Sequence, residues 1–475
     1  MISLLEVAER ARSGPRMKNK EWGLSLFHAL EKLVTRYRLH QPGPDKFYQV
    51  DNHYSDALFN AAVDLLIDVG VYCTTTQRVI TLSEREVLEA IRRTPSEVSV
   101  GAGGEQRIWK KRDLEDNRPP NIDVSGHGPW SDELIPLPII IRELSRHPRV
   151  DLIEGYMYAK IDGREVHGKP LQAYASRRAT EQIRTGLSLA GRRDLAITYY
   201  PVMTDAFSLV APLISTYSLR PTDGVLLTIL PDLIVEEDLI AAAVIYNELG
   251  CYGQCGGTGV GPFGGSLEGQ MIEATSGPLI AWIIYRDTIL TAGSIHNIQK
   301  TENTRLQTQQ WELNWRSFAI QQAHRRHTNQ IFYQILWGES VGLDDLISEQ
   351  YLLNVALSSI KTTLLGLNFR VGCTNPPTFT SWVVDTSDAA LKAHLTLEDF
   401  DEIAKQITQK YLGGIRLPPN APFRDKRMLI YGSDPNEFLR AGFQAYDWYN
   451  QTPTEQYLQN ENQVRRYLRD VGLPL

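Results

Sequence analysis

Apolar segments of two kinds alternate along the middle of the chain, and this alternation constrains the fold more than any other feature. Leu195–Tyr200 and Thr288–Thr291 are short and read as strands, whereas Leu171–Leu189 and Glu236–Leu249 are long and read as helices. Strands that are apolar on both faces and alternate with helices are typical of a parallel sheet covered by helices. Residues 120–400 hold nearer eight such units than five, which predicts an α/β fold of the (β/α)8 TIM-barrel type.

The segments that flank this repeat predict elaborations of the barrel. We expect a single domain over residues 1–475, because no linker or internal repeat interrupts the chain. Within it, residues 1–120 are predicted to form helices and short strands, residues 121–450 the barrel, and residues 451–475 a C-terminal helix.

Two capping patterns give the boundaries of individual helices. Ser83 followed by Glu86 forms a capping box, and the helix that it opens is expected to run to about Arg93. Near the end of the chain, Thr452-Pro453-Thr454-Glu455 supplies an N-cap residue, a proline at the first helical position and a glutamate at the third. The last helix is therefore predicted to begin at Pro453.

The charge balance excludes one large class of partners. The chain carries 49 Lys and Arg against 56 Asp and Glu, so its formal net charge is −7. A chain with this balance has no general attraction for nucleic acid. Its apolar stretches fall short of the ~20 residues that span a bilayer, and the charged first residues do not suit a signal peptide. We therefore expect a cytoplasmic protein that binds neither nucleic acid nor membrane.

The cysteines and histidines do not form a recognisable metal motif. Cys251 and Cys255 lie four residues apart without a second pair, and His324 and His327 are expected on a solvated helix face. Structural zinc sites normally show four ligands with regular spacing. No bound metal is predicted.

A glycine-rich segment and two titratable residues form the first candidate site. Seven of the thirteen residues from Gly253 to Gly265 are glycine, which permits close approach of a ligand, although a loop without a ligand has the same composition. Glu268 follows at the start of a helix, where it could bind a cation, take a proton or simply complement the helix dipole. His296 ends a predicted strand, a position typical of barrel catalysis, but it could equally be structural.

Three aromatic residues form a second candidate. Tyr199, Tyr200 and Phe207 cluster after one predicted strand. Aromatic side chains usually serve packing, but their faces also bind methylated ammonium groups. Both interpretations remain open on the sequence.

Several short motifs are distributed over essentially the whole chain: Gly70–Arg78, Ser125–Glu133, Ala190–Arg192, Gly293–His296 with Asn303–Arg305, and Thr452–Glu455. In sequence and in order they resemble the archaeal monomethylamine:corrinoid methyltransferase family. The resemblance implies a (β/α)8 barrel, expected to be a homo-oligomer. It also implies transfer of a methyl group from a small methylated amine to cob(I)alamin. The cobalamin is held by a separate small corrinoid protein, and none is expected to bind tightly to this chain.

The resemblance assigns several of the family's site residues to positions of this chain, and at one position the chain differs from the family. The family's pyrrolysine position falls on Ser208, or on Phe207 with a shift of one residue, so the electrophilic residue is absent. A glutamate of the family's site falls on Glu268 and its histidine on His296. A glutamine of the site aligns with either Gln330 or Ser358.

These observations leave alternative functions. The first is a pyrrolysine-independent methyltransferase for a quaternary or tertiary amine, because a permanent cation needs no imine to activate it. In that function Glu268 would orient the cation and His296 would position or exchange a proton, with Tyr199, Tyr200, Phe207, Ser208 and Gln330 as substrate-binding candidates. Asn303 and Arg305 are further candidates. The second function is a barrel that binds an amine without turnover, and the third a metal-dependent barrel enzyme.

Overall fold

In the computed structural model, helices surround a core of strands. The structure describes residues 1–39, 51–125, 129–130, 135–155, 157–158, 160–200, 205–214, 217–255, 262–291, 306–336, 347–371, 376–407 and 444–475. Their helices are α1 Leu4–Ser13, α2 Asn19–Tyr37, α3 Asn52–Val69, α4 Glu84–Arg92, α5 Leu137–Ser145, α6 Lys169–Leu189, α7 Ala206–Val210, α8 Glu237–Glu248, α9 Leu267–Ile280, α10 Leu306–His327, α11 Glu349–Leu364, α12 Pro377–Lys392, α13 Leu397–Ile407 and α14 Glu455–Asp470.

Eight parallel strands close into a barrel. In chain order they are β1 Ile122–Ser125, β2 Leu152–Glu154, β3 Ala196–Tyr199, β4 Gly224–Leu226, β5 Tyr252–Cys255, β6 Asp287–Thr291, β7 Ile331–Leu336 and β8 Asn368–Val371. Each strand pairs with the next, and β8 pairs with β1 to close the barrel. The predicted (β/α)8 barrel is confirmed, including the strands expected at Leu195–Tyr200 and Thr288–Thr291.

Short strand pairs decorate the barrel. Val71–Cys73 pairs with Arg78–Ile80 and with Ile234–Val235, and the other pairs are Glu97–Val100 with Arg107–Lys110, Pro129–Trp130 with Met157–Tyr158, Lys160–Ile161 with Arg164–Glu165, and Tyr446–Asp447 with Thr452–Pro453. The predicted N-terminal mixture of helices and short strands before residue 121 is present.

The two predicted capping patterns have different outcomes. The Ser83 hydroxyl accepts a hydrogen bond from the Glu86 amide, and the Glu86 carboxylate accepts one from the Ser83 amide, so the capping box is confirmed. The predicted start of the last helix is wrong by two residues. Thr454 is the N-cap, its hydroxyl accepting from the Tyr457 amide, and α14 begins at Glu455. Thr452 and Pro453 instead form a strand that pairs with Tyr446 and Asp447 in a short hairpin, which the capping pattern does not register.

The chain divides into two compact units, each with part of the barrel. Unit 1 comprises residues 1–98, 204–210 and 224–333. In this unit α3 packs against both α9 and α10, the helices that follow β5 and β6. The Asp56 carboxylate joins α3 to the end of α10 through Arg326, at 2.7 and 2.9 Å, and through His327 at 2.7 Å.

Unit 2 comprises residues 99–203, 211–223 and 334–475. Its helices α5 and α6 pack closely because Gly186 leaves no side chain between them: a Cβ there would lie 2.5 Å from Cβ of Ile141. The predicted boundaries at 120/121 and 450/451 stay a prediction. Over the residues whose positions are described, no helix has the length and apolar character needed to cross a bilayer.

Candidate functional site

The barrel strands of unit 2 divide their side chains between a polar and an apolar face. Asp123, Glu154, Thr198 and Arg370 share one face, because Arg370 pairs in register with Asp123 and Thr198 with Glu154. The alternate positions are apolar and buried: Ile122, Val124, Ile153, Ile197, Phe369 and Val371. Since side chains alternate along a strand and the helices of such a barrel cover its outside, the polar set faces the barrel interior.

Two carboxylates meet one guanidinium on this interior face. Nε of Arg370 lies 2.8 Å from Oδ2 of Asp123 and 2.9 Å from Oε2 of Glu154, and all three side chains are fully buried. We call these three residues the Arg370 cluster. Buried charges are costly unless they are paired, and two ionised carboxylates with one guanidinium carry a net negative charge. Glu154 is the last residue of β2, at the end of the barrel where such folds bind their substrates.

The alternation of side chains along β3 places the two tyrosine candidates on opposite sides of the barrel wall. Tyr199 is buried and alternates with Thr198, so it lies on the outward face beneath the helices. Tyr200 follows β3, has the same parity as Thr198, and is half-buried. The alternation therefore favours packing for Tyr199 and leaves Tyr200 as the aromatic candidate on the interior side.

Glu268 lies near the start of α9, in unit 1. The Ser266 hydroxyl caps this helix by accepting from the Gly269 amide at 3.1 Å, which places Glu268 in the first turn, half-buried. Burial and the nearby charge of Glu268 raise the pKa of Tyr54 on α3, while Arg316 on α10 lowers it. The carboxylate is thus close to the helices that cover the barrel, and its role in the reaction stays a prediction.

The start of α9 is connected to α2 through Asp232. Trp22 Nε1 donates to the Asp232 carbonyl at 2.8 Å, and the Asp232 carboxylate accepts from the Phe263 amide at 3.1 Å. Glu273 of α9 accepts from the Asp232 amide at 2.8 Å. Asp232 has a φ of 63°, in the left-handed region that these contacts hold in place. The described end of the glycine-rich segment is therefore fixed from α2 on one side and α9 on the other.

Ser208 and Phe207, the two residues that the sequence resemblance aligns with pyrrolysine, lie in α7. Asp205 caps α7 by accepting from the Ser208 amide at 3.1 Å, and Tyr246 Oη of α8 donates to the Leu209 carbonyl at 2.7 Å. Ser208 is 1% exposed, whereas Phe207 is 70% exposed. Phe207 is too exposed to enclose a ligand together with other residues of unit 1.

Gln330 lies at the amino-terminal end of β7. It precedes β7, is buried, and donates through Nε2 to the Pro278 carbonyl of α9 at 2.9 Å. It also contacts His324, whose pKa burial lowers to about 4 while Gln330 and the Thr275 backbone oppose the shift. This placement favours a structural role for Gln330. The alternative, Ser358, lies half-buried in α11.

The expectation that His324 lies on a solvated face is wrong. Helix α3 packs over α10, and the Phe59 ring meets the His324 ring at 5.9 Å and the His327 ring at 4.4 Å. His324 is fully buried as a result. The added helical layer of the N-terminal extension covers what would otherwise be the outer surface of the barrel.

The structure does not describe three of the candidate residues. His296, Asn303 and Arg305 lie outside the described residues. Among the side chains with described positions, no group of three or more His, Cys, Asp and Glu could hold a metal ion.

Asp287 is a buried carboxyl at the amino end of β6. Burial raises its pKa well above the usual range, and neither carboxylate oxygen has a hydrogen-bond partner within the described structure. The folded protein therefore holds this proton to a higher pH than the unfolded chain. Stability from this group is present at acidic pH and is lost as the pH rises from the ordinary aspartate pKa through the raised one.

Asp287→Asn should remove this penalty because the amide cannot ionise. At pH 7 the variant is expected to be more stable than the wild type, because burial of the ionised carboxylate no longer opposes folding. The gain should shrink toward pH 4. Urea unfolding of both proteins from pH 4 to 8 measures it, and a gain independent of pH would contradict a buried titrating carboxyl.

Comparison with known proteins gives the family. The family model described as monomethylamine methyltransferase MtmB matches residues 2–374. Curated relatives include MtmB of Methanosarcina mazei, 26% identical over 191 residues, and MtmB2 of Methanosarcina acetivorans, 27% identical over 192 residues. Each match covers 40% of this chain, and the chain spans 41% of the length of these curated relatives.

Two solved structures have a fold similar to that of this chain. The crystal structure of the Methanosarcina barkeri monomethylamine methyltransferase superposes with a TM-score of 0.79 at 19% identity, covering 99% of this chain and 98% of that one. The hydroxylamine complex of MtmB superposes equally well. The structural likeness shows the shared barrel, and the family model matches well over half of the sequence. The chain therefore belongs to the monomethylamine methyltransferase MtmB family.

Proposed function

We propose that this protein is a methyltransferase that moves a methyl group from a quaternary or tertiary amine to cob(I)alamin on a separate small corrinoid protein. In this reaction the C–N bond breaks, its electron pair stays on nitrogen, and the amine leaves neutral. The observation that carries the proposal is the family match over residues 2–374. The names of the curated relatives state a methylamine methyltransferase activity for those proteins.

The Arg370 cluster supports a cationic substrate. An ammonium group in the barrel interior would be attracted by the carboxylates of Asp123 and Glu154, which lie close together around one guanidinium nitrogen. In a buried site such interactions are stronger than in water. Tyr200, on the interior side of β3, adds an aromatic side chain of the kind that binds methylated ammonium groups.

The residue at the pyrrolysine position supports a change of substrate. Ser208 has a hydroxyl that cannot capture an amine as an electrophilic imine would. A quaternary amine is a permanent cation and needs no such adduct. The proposal is therefore independent of pyrrolysine, and it assigns orientation of the cation to Glu268 and positioning or proton exchange to His296.

An anaerobic assay with cob(I)alamin tests the function. The purified protein is mixed with cob(I)alamin, alone and with a candidate corrinoid protein, and with monomethylamine, trimethylamine or a quaternary betaine. Loss of the cob(I)alamin spectrum with trimethylamine or the betaine, and not with monomethylamine, is the expected result. Binding of these amines in a calorimeter without any methyl transfer would instead support an amine-binding barrel.

Glu268→Gln tests the carboxylate that the family resemblance selects. We expect a loss of at least about tenfold in methyl transfer, corresponding to about 1.4 kcal/mol, because the amide cannot offset the positive charge of the substrate. The initial rate with the best substrate of the panel is the measurement. Glu248→Gln, on exposed surface at the end of α8, is the control. Turnover equal to that of the wild type would remove Glu268 from the mechanism.

A further inference from the structure

Thr291 carries a buried hydroxyl that makes no hydrogen bond to any residue the structure describes. It is the last residue of β6, at the end of the barrel where substrates bind. Its side chain is 3% exposed, and Oγ1 has no hydrogen-bond partner in the described part of the chain. A buried polar group without a partner costs about 1–3 kcal/mol, so a bound molecule that supplies the partner is favoured at this position.

The strand register shows where this hydroxyl points. Leu290 pairs with Phe332, and the Phe332 ring lies 5.1 Å from the His324 ring of α10, so these two residues face outward. Thr291 pairs with Tyr333, one position further along, and therefore faces the barrel interior. Its neighbour Tyr333 is already engaged, because its hydroxyl donates to the Cys255 carbonyl at 2.6 Å.

We propose that Thr291 Oγ1 accepts a hydrogen bond from the N–H of a protonated amine and so determines specificity among amine substrates. A tertiary ammonium has one N–H to donate, whereas a quaternary ammonium has none. The inference rests on the proposed function and narrows its substrate class to amines that retain an N–H. The N–H stays on nitrogen when the methyl group leaves, so the contact requires no proton transfer.

Two cations of equal charge and similar size separate this contact from packing. Trimethylammonium carries an N–H where tetramethylammonium carries a fourth methyl group. Calorimetric titration of the full-length protein with each chloride salt should show that Thr291→Val weakens trimethylammonium binding about tenfold or more. Tetramethylammonium binding should change less than about twofold, since valine matches the shape of threonine without its hydroxyl. Thr291→Ser, which keeps the hydroxyl, should retain the preference.

Thr288 gives a matched control in the same strand. Its hydroxyl already donates to the Gly253 carbonyl at 3.3 Å, so Thr288→Val should leave the ratio of the two affinities unchanged. Equal weakening for both cations in Thr291→Val, or no weakening for either, would overturn the proposal, as would a wild-type protein that binds neither. Discrimination that depends on Thr291 without methyl transfer to cob(I)alamin would uphold this contact and refute the proposed function.

Discussion

The Glu154→Gln variant is expected to transfer methyl groups from a cationic amine about a hundredfold more slowly than the wild type. The change removes one negative charge from the Arg370 cluster while leaving the pair between Arg370 and Asp123 in place. A carboxylate and an ammonium group about 6 Å apart attract each other by about 3 kcal/mol at an effective dielectric constant of about 20. Loss of an attraction of that size lowers the rate about a hundredfold. The ratio kcat/KM for trimethylamine with cob(I)alamin is the measurement.

Folding and activity can be separated within the same cluster. Glu165→Gln removes an equal charge from the exposed Arg164–Glu165 strand and should leave kcat/KM unchanged. Arg370→Met, in contrast, leaves the buried carboxylates of Asp123 and Glu154 beside an apolar side chain, and should cost about 3–5 kcal/mol of stability. Normal turnover in a folded Glu154→Gln protein would show that the cluster only supports the barrel.

Asp223→Ala is expected to lower the free energy of unfolding by about 3–5 kcal/mol, the range for breaking a buried ion pair. Asp223 accepts from the Ile197 amide of β3 at 2.9 Å and from the Arg220 amide at 2.7 Å, and it pairs with the buried Arg184 of α6. Alanine leaves the guanidinium buried and both amides without their acceptor. The urea midpoint and the slope of the unfolding transition measure the change.

Asp223→Asn is the graded comparison for this prediction. Its amide oxygen can replace one acceptor but not the charge, so we expect a loss smaller than that of Asp223→Ala. A loss below about 1 kcal/mol in Asp223→Ala would place this residue among ordinary surface substitutions. That outcome would contradict a central role in joining α6 to the barrel.

The fold was predictable because the pattern that encodes it is local. The strand at β3 and the capping box of Ser83 and Glu86 depend on a few neighbouring residues, and both appear in the structure. The start of α14 was less predictable, since Thr452 and Pro453 are drawn into a strand by Tyr446 and Asp447. The capping pattern reads only the four residues Thr452–Glu455 and does not register a strand partner outside them.

The candidate site was harder to predict for the same reason. Asp123, Glu154 and Arg370 are far apart in sequence and meet only because β8, β1 and β2 are neighbours. A signal was nevertheless present, since each is a single charged residue inside a short apolar strand. Burying a charge in that setting is costly, so three such residues in strands of one barrel indicate a shared cluster.

The hydrogen bond between α2 and Asp232 also has a consequence for the synthesis of the protein. Trp22 and its acceptor Asp232 are 210 residues apart in the chain. At about 5–20 residues per second, a ribosome needs roughly 10–40 s to synthesise that interval. During this time α2 can pack on α3, which follows it in the chain, but its contacts with Asp232 and α9 cannot form. We therefore expect nascent chains that end before residue 232 to depend on chaperones and to be sensitive to proteases, with protection arising only once the second part of unit 1 has emerged.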